Sequence, residues 1–138
     1  MGQPGRIGAA MLVLVGIAFV AFGIDDLRMQ APPPMHERYF GRLPTPVPPE
    51  VHSLVLYMFD GQGGLFLGSG LALLALAARP IPRGDRFALA AAFAIVLFGN
   101  GGIIWCLHEM GAGFGIPVWL LVIGLSGCAL CLARSRAG

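Results

Sequence analysis

The chain has 138 residues, 57% hydrophobic and only 12% charged, with a net charge of +2 and a mean hydropathy of +0.78. So little polar surface excludes a soluble globular domain, and so small a charge excludes a nucleic-acid footprint; an integral membrane protein remains, with the lipid bilayer as its first partner. The nine basic residues are all arginine, and their placement says more than their sum.

A membrane-spanning helix needs about 20 mainly apolar residues. Four runs qualify, at about 7–24, 51–78, 86–107 and 115–133, with a proline-rich loop at 25–50. The expected fold is therefore all-α, an integral membrane four-helix bundle in one transmembrane domain. In that layout Arg6, Arg79, Arg83, Arg86, Arg134 and Arg136 fall on one side, and Arg28, Arg38 and Arg42 on the other. The positive-inside bias then makes both termini cytoplasmic and the 25–50 loop external, in a bacterial cytoplasmic membrane. Arg6 ahead of an apolar run that ends Ala21-Phe22-Gly23 imitates a cleaved signal, but the run is long for one and is read as a helix.

The first helix carries Gly8, Gly16 and Gly23 at near-heptad spacing, a small-residue stripe that admits another helix. Asp25 and Asp26 are expected to end it. From 31 to 49 the chain holds seven prolines around the island Met35-His36-Glu37-Arg38-Tyr39-Phe40. Proline denies helix interiors and sheet ladders, so the loop is expected to be extended around one short interfacial helix. Stiffening lowers the entropy cost of recognition, so Arg38, Tyr39 and Phe40 are expected to contact a partner subunit or the outer mouth of the bundle above His108.

The second span is too long for the hydrocarbon layer and must tilt, kink or project outward. At its centre lies YMFDGQGGLFLGSG, 57–70, which sets Asp60, Gln62 and five glycines in an apolar helix. A charge inside a span costs about 2.5–3.5 kcal/mol on insertion scales, so Asp60 is expected to face a partner helix or a wet cavity. Gly64 and Gly68 stand in the GxxxG relation that favours close crossing. Counting from the turn near Pro82 puts Asp60, Gln62 and Asn100 within about 6 Å of one level, where Asp60 and Asn100 can hydrogen-bond. His108 and Glu109 close that layer on the outer side. The five residues read either as a ligand or proton site or as a polar clamp between helices. The last helix, with Pro117 in its first turn and Trp119 at the interface, reads as scaffold.

The histidines His36, His52 and His108, with Met110, sit on the outer side, where copper or a bis-histidine haem is a minor alternative. No diagnostic ligand spacing supports either, and no cofactor is named. Cys128 and Cys131 form a C-x-x-C at a helix C-terminal end, where the dipole opposes thiolate formation, and read as small buried apolar residues. No Ser-His-Asp order, phosphate loop or HExxH motif is present.

Gly64-Leu-Phe-Leu-Gly68-Ser-Gly70, the arginine-rich turn at 79–86 and the polar end of the third helix, Glu109 through Pro117, resemble the uncharacterised small four-helix bacterial membrane proteins related to the DoxX-like group. The resemblance covers about 51–133 and implies a four-helix bundle, without any catalytic residue. Asn100 stands where a basic residue is common in that group, and the outer loop is longer. Together these features lead to an expected non-enzymatic accessory or structural subunit, packing with other membrane subunits or with itself. The alternative is a binding or transport protein for a lipophilic, quinone-like ligand or a proton-coupled solute beside Asp60.

Overall fold

A computed structural model describes residues 3–135 of the chain, and the side chains of 4–133. Its elements are α1 (Gln3–Leu27), α2 (Pro34–Phe40), α3 (Pro49–Ala78), a single 3-10 turn (Ile81–Arg83), α4 (Arg86–Glu109) and α5 (Gly115–Ser135). The described residues are all-helical in their regular structure. Helices α1, α3, α4 and α5 are each long and apolar enough to cross a membrane. Arg136 and the chain ends, on which part of the expected orientation rests, lie outside the described residues.

Local chemistry sets most boundaries. Pro34 and Pro49 each open a helix, where a missing N–H costs nothing and the fixed φ is already helical. Between α3 and α4 the chain reverses through the 3-10 turn and Gly84, whose φ of 87° is left-handed. Asp85 then caps α4, its carboxylate accepting from the Phe87 and Ala88 amides at 2.9 and 3.0 Å. Helix α4 stops in a Schellman motif: the Ala112 amide donates to the Leu107 carbonyl and the Gly111 amide to His108, with Gly111 at φ 64°.

The island does form a helix, α2. Asp25 and Asp26 do not end α1, which runs on through Leu27. Backbone pairing rather than polarity decides where a helix stops, and here the last turn of α1 is still seated on α3. The length of α3 is accommodated by projection: it reaches beyond the end of α1, and α2 folds back against the projecting turns.

Helix α1 is the hub, packed along α3 on one side and α5 on the other, while α4 leans on α5. Helices α3 and α4 are joined by a tight turn yet touch little. Three glycine pairs bring the hub to its neighbours. A Cβ on Gly23 would lie 2.7 Å from the Gly63 carbonyl oxygen, and one on Gly63 would lie 2.9 Å from that of Gly23. Gly16 and Gly70 face each other likewise, as do Gly8 and Gly127. Each pair is backbone against backbone, so no side chain can yield. Because residue numbers rise along α1 as they fall along α3, the two helices are antiparallel. Between the crossings, Phe19 meets Phe66 edge to face at 5.2 Å, and Leu12, Val15, Leu73, Val96 and Leu120 complete the core.

Candidate functional site

Two faces of α3 and the α2 end of the bundle hold the side chains with chemical potential. Residues spaced by three and four from His52 through Leu56, Phe59, Gly63, Phe66, Gly70, Leu73 and Ala77 make one row. Its lower part is buried against α1, and its upper part, from His52 to Phe59, is sheltered by α2. Directly opposite runs a second row with the same spacing: Leu54, Tyr57, Gly61, Gly64, Gly68, Leu71, Ala75 and Ala78. Every member of it is exposed. A Cβ on Gly61, Gly64 or Gly68 would meet nothing within 4 Å. The close crossing expected at Gly64 and Gly68 is thus made inside the chain by Gly63 and Gly70, one face around, because those two are the glycines turned toward α1.

The expected polar layer does not assemble. Asp60 and Gln62 are exposed on α3, and His108 and Glu109 are exposed at the end of α4. Asn100 is fully buried. Its Nδ2 donates to the carbonyl of Val96 in its own helix at 2.9 Å, and its Oδ1 has no partner. Asp60 and Asn100 therefore do not hydrogen-bond. The depth estimate fails for a geometric reason: a Cβ on Gly99 would touch the Phe19 ring, which stacks on Phe66, so Asn100 is level with Phe66. Asp60 lies six residues farther out, about 9 Å along the helix. It is also one turn beyond Gly63, against which Asp26 packs at the end of α1. The carboxylate thus stands one turn past that contact, exposed and apart from the buried core.

The α2 end brings His36 and Phe40 of the island against α3. His36 meets the Phe59 ring edge to face at 5.0 Å, and Phe40 meets His52 at 5.1 Å. His52 Nδ1 lies 3.5 Å from Glu37 Oε1. Burial lowers the pKa of His36 below its ordinary value. Two buried polar atoms here lack partners, His36 Nδ1 and Asp26 Oδ2. They stand beside Phe59 and Gly63, successive positions of one α3 row, so two polar atoms are left unsatisfied about one helical turn apart. Asp26 had read as a stop signal; its burial comes from Gly63, whose missing side chain makes the room.

Of the expected docking residues, Phe40 packs on His52, and Tyr39 rests on Phe40 at 6.3 Å with its own side chain exposed. Arg38 turns the other way. Its Nε donates to the Pro34 carbonyl at 3.3 Å. With Arg42, Pro33, Pro34 and Met35 it lines an open cleft of about 410 Å³ whose far wall is Met110, Gly111, Ala112 and Gly113. The loop therefore reaches the turn just beyond His108.

Among the described residues no group of three or more His, Cys, Asp or Glu could hold a metal ion. His36, His52 and His108 rest on different aromatic rings, those of Phe59, Phe40 and Phe114. Cys128 and Cys131 are buried and in no disulfide, Cys131 lying against Gly8 of α1, and Cys106 is exposed. No family model, curated relative or solved structure matches the chain.

Proposed function

We propose that the chain is a non-enzymatic integral membrane subunit that uses the exposed row of α3 to pack against a helix of another membrane subunit. One observation carries this reading: Gly61, Gly64 and Gly68 occupy an exposed helical row with nothing within 4 Å of the space a side chain would fill. A glycine inside a helix costs about 0.8–1.0 kcal/mol relative to alanine. Within the chain these three give no packing in return, whereas Gly63 and Gly70 on the opposite face do. Close approach by a further helix supplies the missing return, and Tyr57, Met58 and Leu65, all well exposed, add contact area beside it.

The orientation belongs to the same proposal. Arg79, Arg83 and Arg86 lie at the end of the bundle where α1 begins with Arg6, while Arg28, Arg38 and Arg42 lie at the α2 end. This supports a cytoplasmic 3-10 turn and an external α2, in a bacterial cytoplasmic membrane. Kinship with the small membrane proteins related to the DoxX-like group rests on the glycine motif, the arginine-rich turn at 79–86 and the polar end of α4, and fits a subunit of this kind. The alternative, a binding or transport site beside Asp60, draws less support, since Asp60 and Gln62 are exposed on α3 while Asn100 is buried and bonds within its own helix.

The test uses the natural chain with Cys106→Ser, which leaves only the two buried thiols. Gly68→Cys in that background, treated with a short bifunctional thiol–amine reagent in native membranes, is expected to yield a discrete adduct with another polypeptide. Phe66→Cys, on the face turned to α1, serves as the internal comparison. Absence of any adduct at Gly68, with labelling by a small membrane-permeant maleimide intact, would sink the proposal.

A further inference from the structure

The cleft between α2 and the α4–α5 turn has a chemistry of its own. On one wall stand Arg38 and Arg42, four residues apart, with the Arg42 guanidinium reaching across so that Nη1 lies 3.6 Å from where a Cβ on Gly111 would be. Among the described residues the one ion pair at this end joins Glu37 to His52, so neither arginine has its charge matched by a carboxylate. Two planar guanidinium groups with free N–H edges form a fork suited to an oxyanion. The remaining walls, Met35, Met110 and the prolines, are apolar, and methionine adapts its shape to an irregular guest. About 410 Å³ falls within the usual range for small-molecule sites and is far more than one phosphate ion fills.

We propose that this cleft binds the phosphate head of an anionic phospholipid, with Arg38 and Arg42 on the phosphate and the methionine walls on the glycerol and first methylenes. The position supports the lipid source over a free anion: the cleft opens at the end of α4, where the apolar span gives way to the loop, which is headgroup depth if the four helices cross a bilayer. Arginine attracts an anionic headgroup appreciably only within a Debye length, and a cleft at that depth meets this condition in either leaflet. The inference rests on the membrane reading but not on the exposed glycine row.

The experiment compares full-length chain in a neutral detergent with added phosphatidylglycerol, phosphatidylcholine or inorganic phosphate, reading retained adducts by native mass spectrometry and the midpoint of thermal unfolding. Phosphatidylglycerol is expected to be retained at least tenfold more strongly than phosphatidylcholine and to raise the midpoint, and inorganic phosphate to do neither at equal concentration. Arg42→Gln, which removes no hydrogen bond within the fold, is expected to abolish the headgroup preference, and Arg42→Lys to restore part of it. Equal retention of the two lipids, or an unchanged preference in Arg42→Gln, overturns the site. Protection by inorganic phosphate equal to that by phosphatidylglycerol overturns the lipid assignment. Retention of no phosphatidylglycerol by the full-length chain overturns the site as well.

Discussion

Helix α3 carries glycines on two opposite faces, and the contrast between them separates what holds the fold from what the fold offers. Gly63 and Gly70 are pressed against the α1 backbone, so their lack of a side chain is already used. Gly61, Gly64 and Gly68, at the same 3,4 spacing half a turn away, face open space. The same residue type therefore has two meanings on one helix, and only the neighbour tells them apart.

The sharpest way to break the comparison is to fill each face. Gly63→Leu or Gly70→Leu must displace a helix backbone, because the atoms met are the Gly23 and Gly16 carbonyls. The expected destabilisation is about 3 kcal/mol, the upper part of the range for overpacking, measured by denaturant titration in mixed micelles. Gly64→Leu should not destabilise in that titration, and by the propensity cost of a helical glycine should stabilise slightly, while removing the adduct formed through Gly68→Cys. Equal destabilisation on both faces would erase the distinction.

The sheltered row continues beyond α1 to Phe59 and His52, where α2 replaces α1 as its cover. Since burial lowers the pKa of His36, the docked loop disfavours the protonated ring. Docking should be fully present above the unperturbed value of 6.5 and be lost as pH falls through the lowered docked value. Limited proteolysis within residues 41–48, followed from pH 8 to 5, should speed up on acidification, and His36→Phe should flatten the profile. A rate that falls on acidification contradicts the sign.

Two smaller changes calibrate the scale. Asp85→Ala removes the α4 cap without touching either face of α3 and is expected to cost about 1 kcal/mol, read in the same titration. Glu37→Gln breaks a pair in which both partners reach solvent, so its effect on loop proteolysis should correspond to less than about 1 kcal/mol. An Asp85→Ala effect as large as that of Gly63→Leu would mean that the glycine crossings are not what limits stability.

Four helices, their approximate limits and the short helix in the loop were legible, because length, apolar runs and proline placement are local properties. Which faces pack was not. In a soluble helix the buried stripe is the apolar one, but in a spanning helix lipid and protein are both apolar, so hydrophobicity does not distinguish Gly63 from Gly64. The spacing of seven in Gly16 and Gly23, matched by Gly63 and Gly70, was present in the sequence as a signal for an antiparallel crossing; the shorter GxxxG pair overshadowed it. The polar layer failed because residues were counted outward from a turn as though α3 and α4 lay side by side. Both instead pack on other helices, α3 on α1 and α4 on α5. Asp26 and His36 were hidden for a related reason, since their burial depends on which helix covers the α2 end.

The central place of α1 has a consequence for how the protein is made. Helix α1 precedes in the chain every helix it packs against, so its partners are made after it: Gly23 waits for Gly63, and Gly8 waits longer, for Gly127. At ordinary rates of synthesis that wait is on the order of ten seconds. Throughout it, the glycine-lined sides of α1 are exposed to whatever surrounds the nascent chain, and the α1–α5 seam closes only when α5 has emerged. A nascent chain cut short within α5 would keep its hub open on that side, which makes the synthesis of α5 the step that commits the bundle.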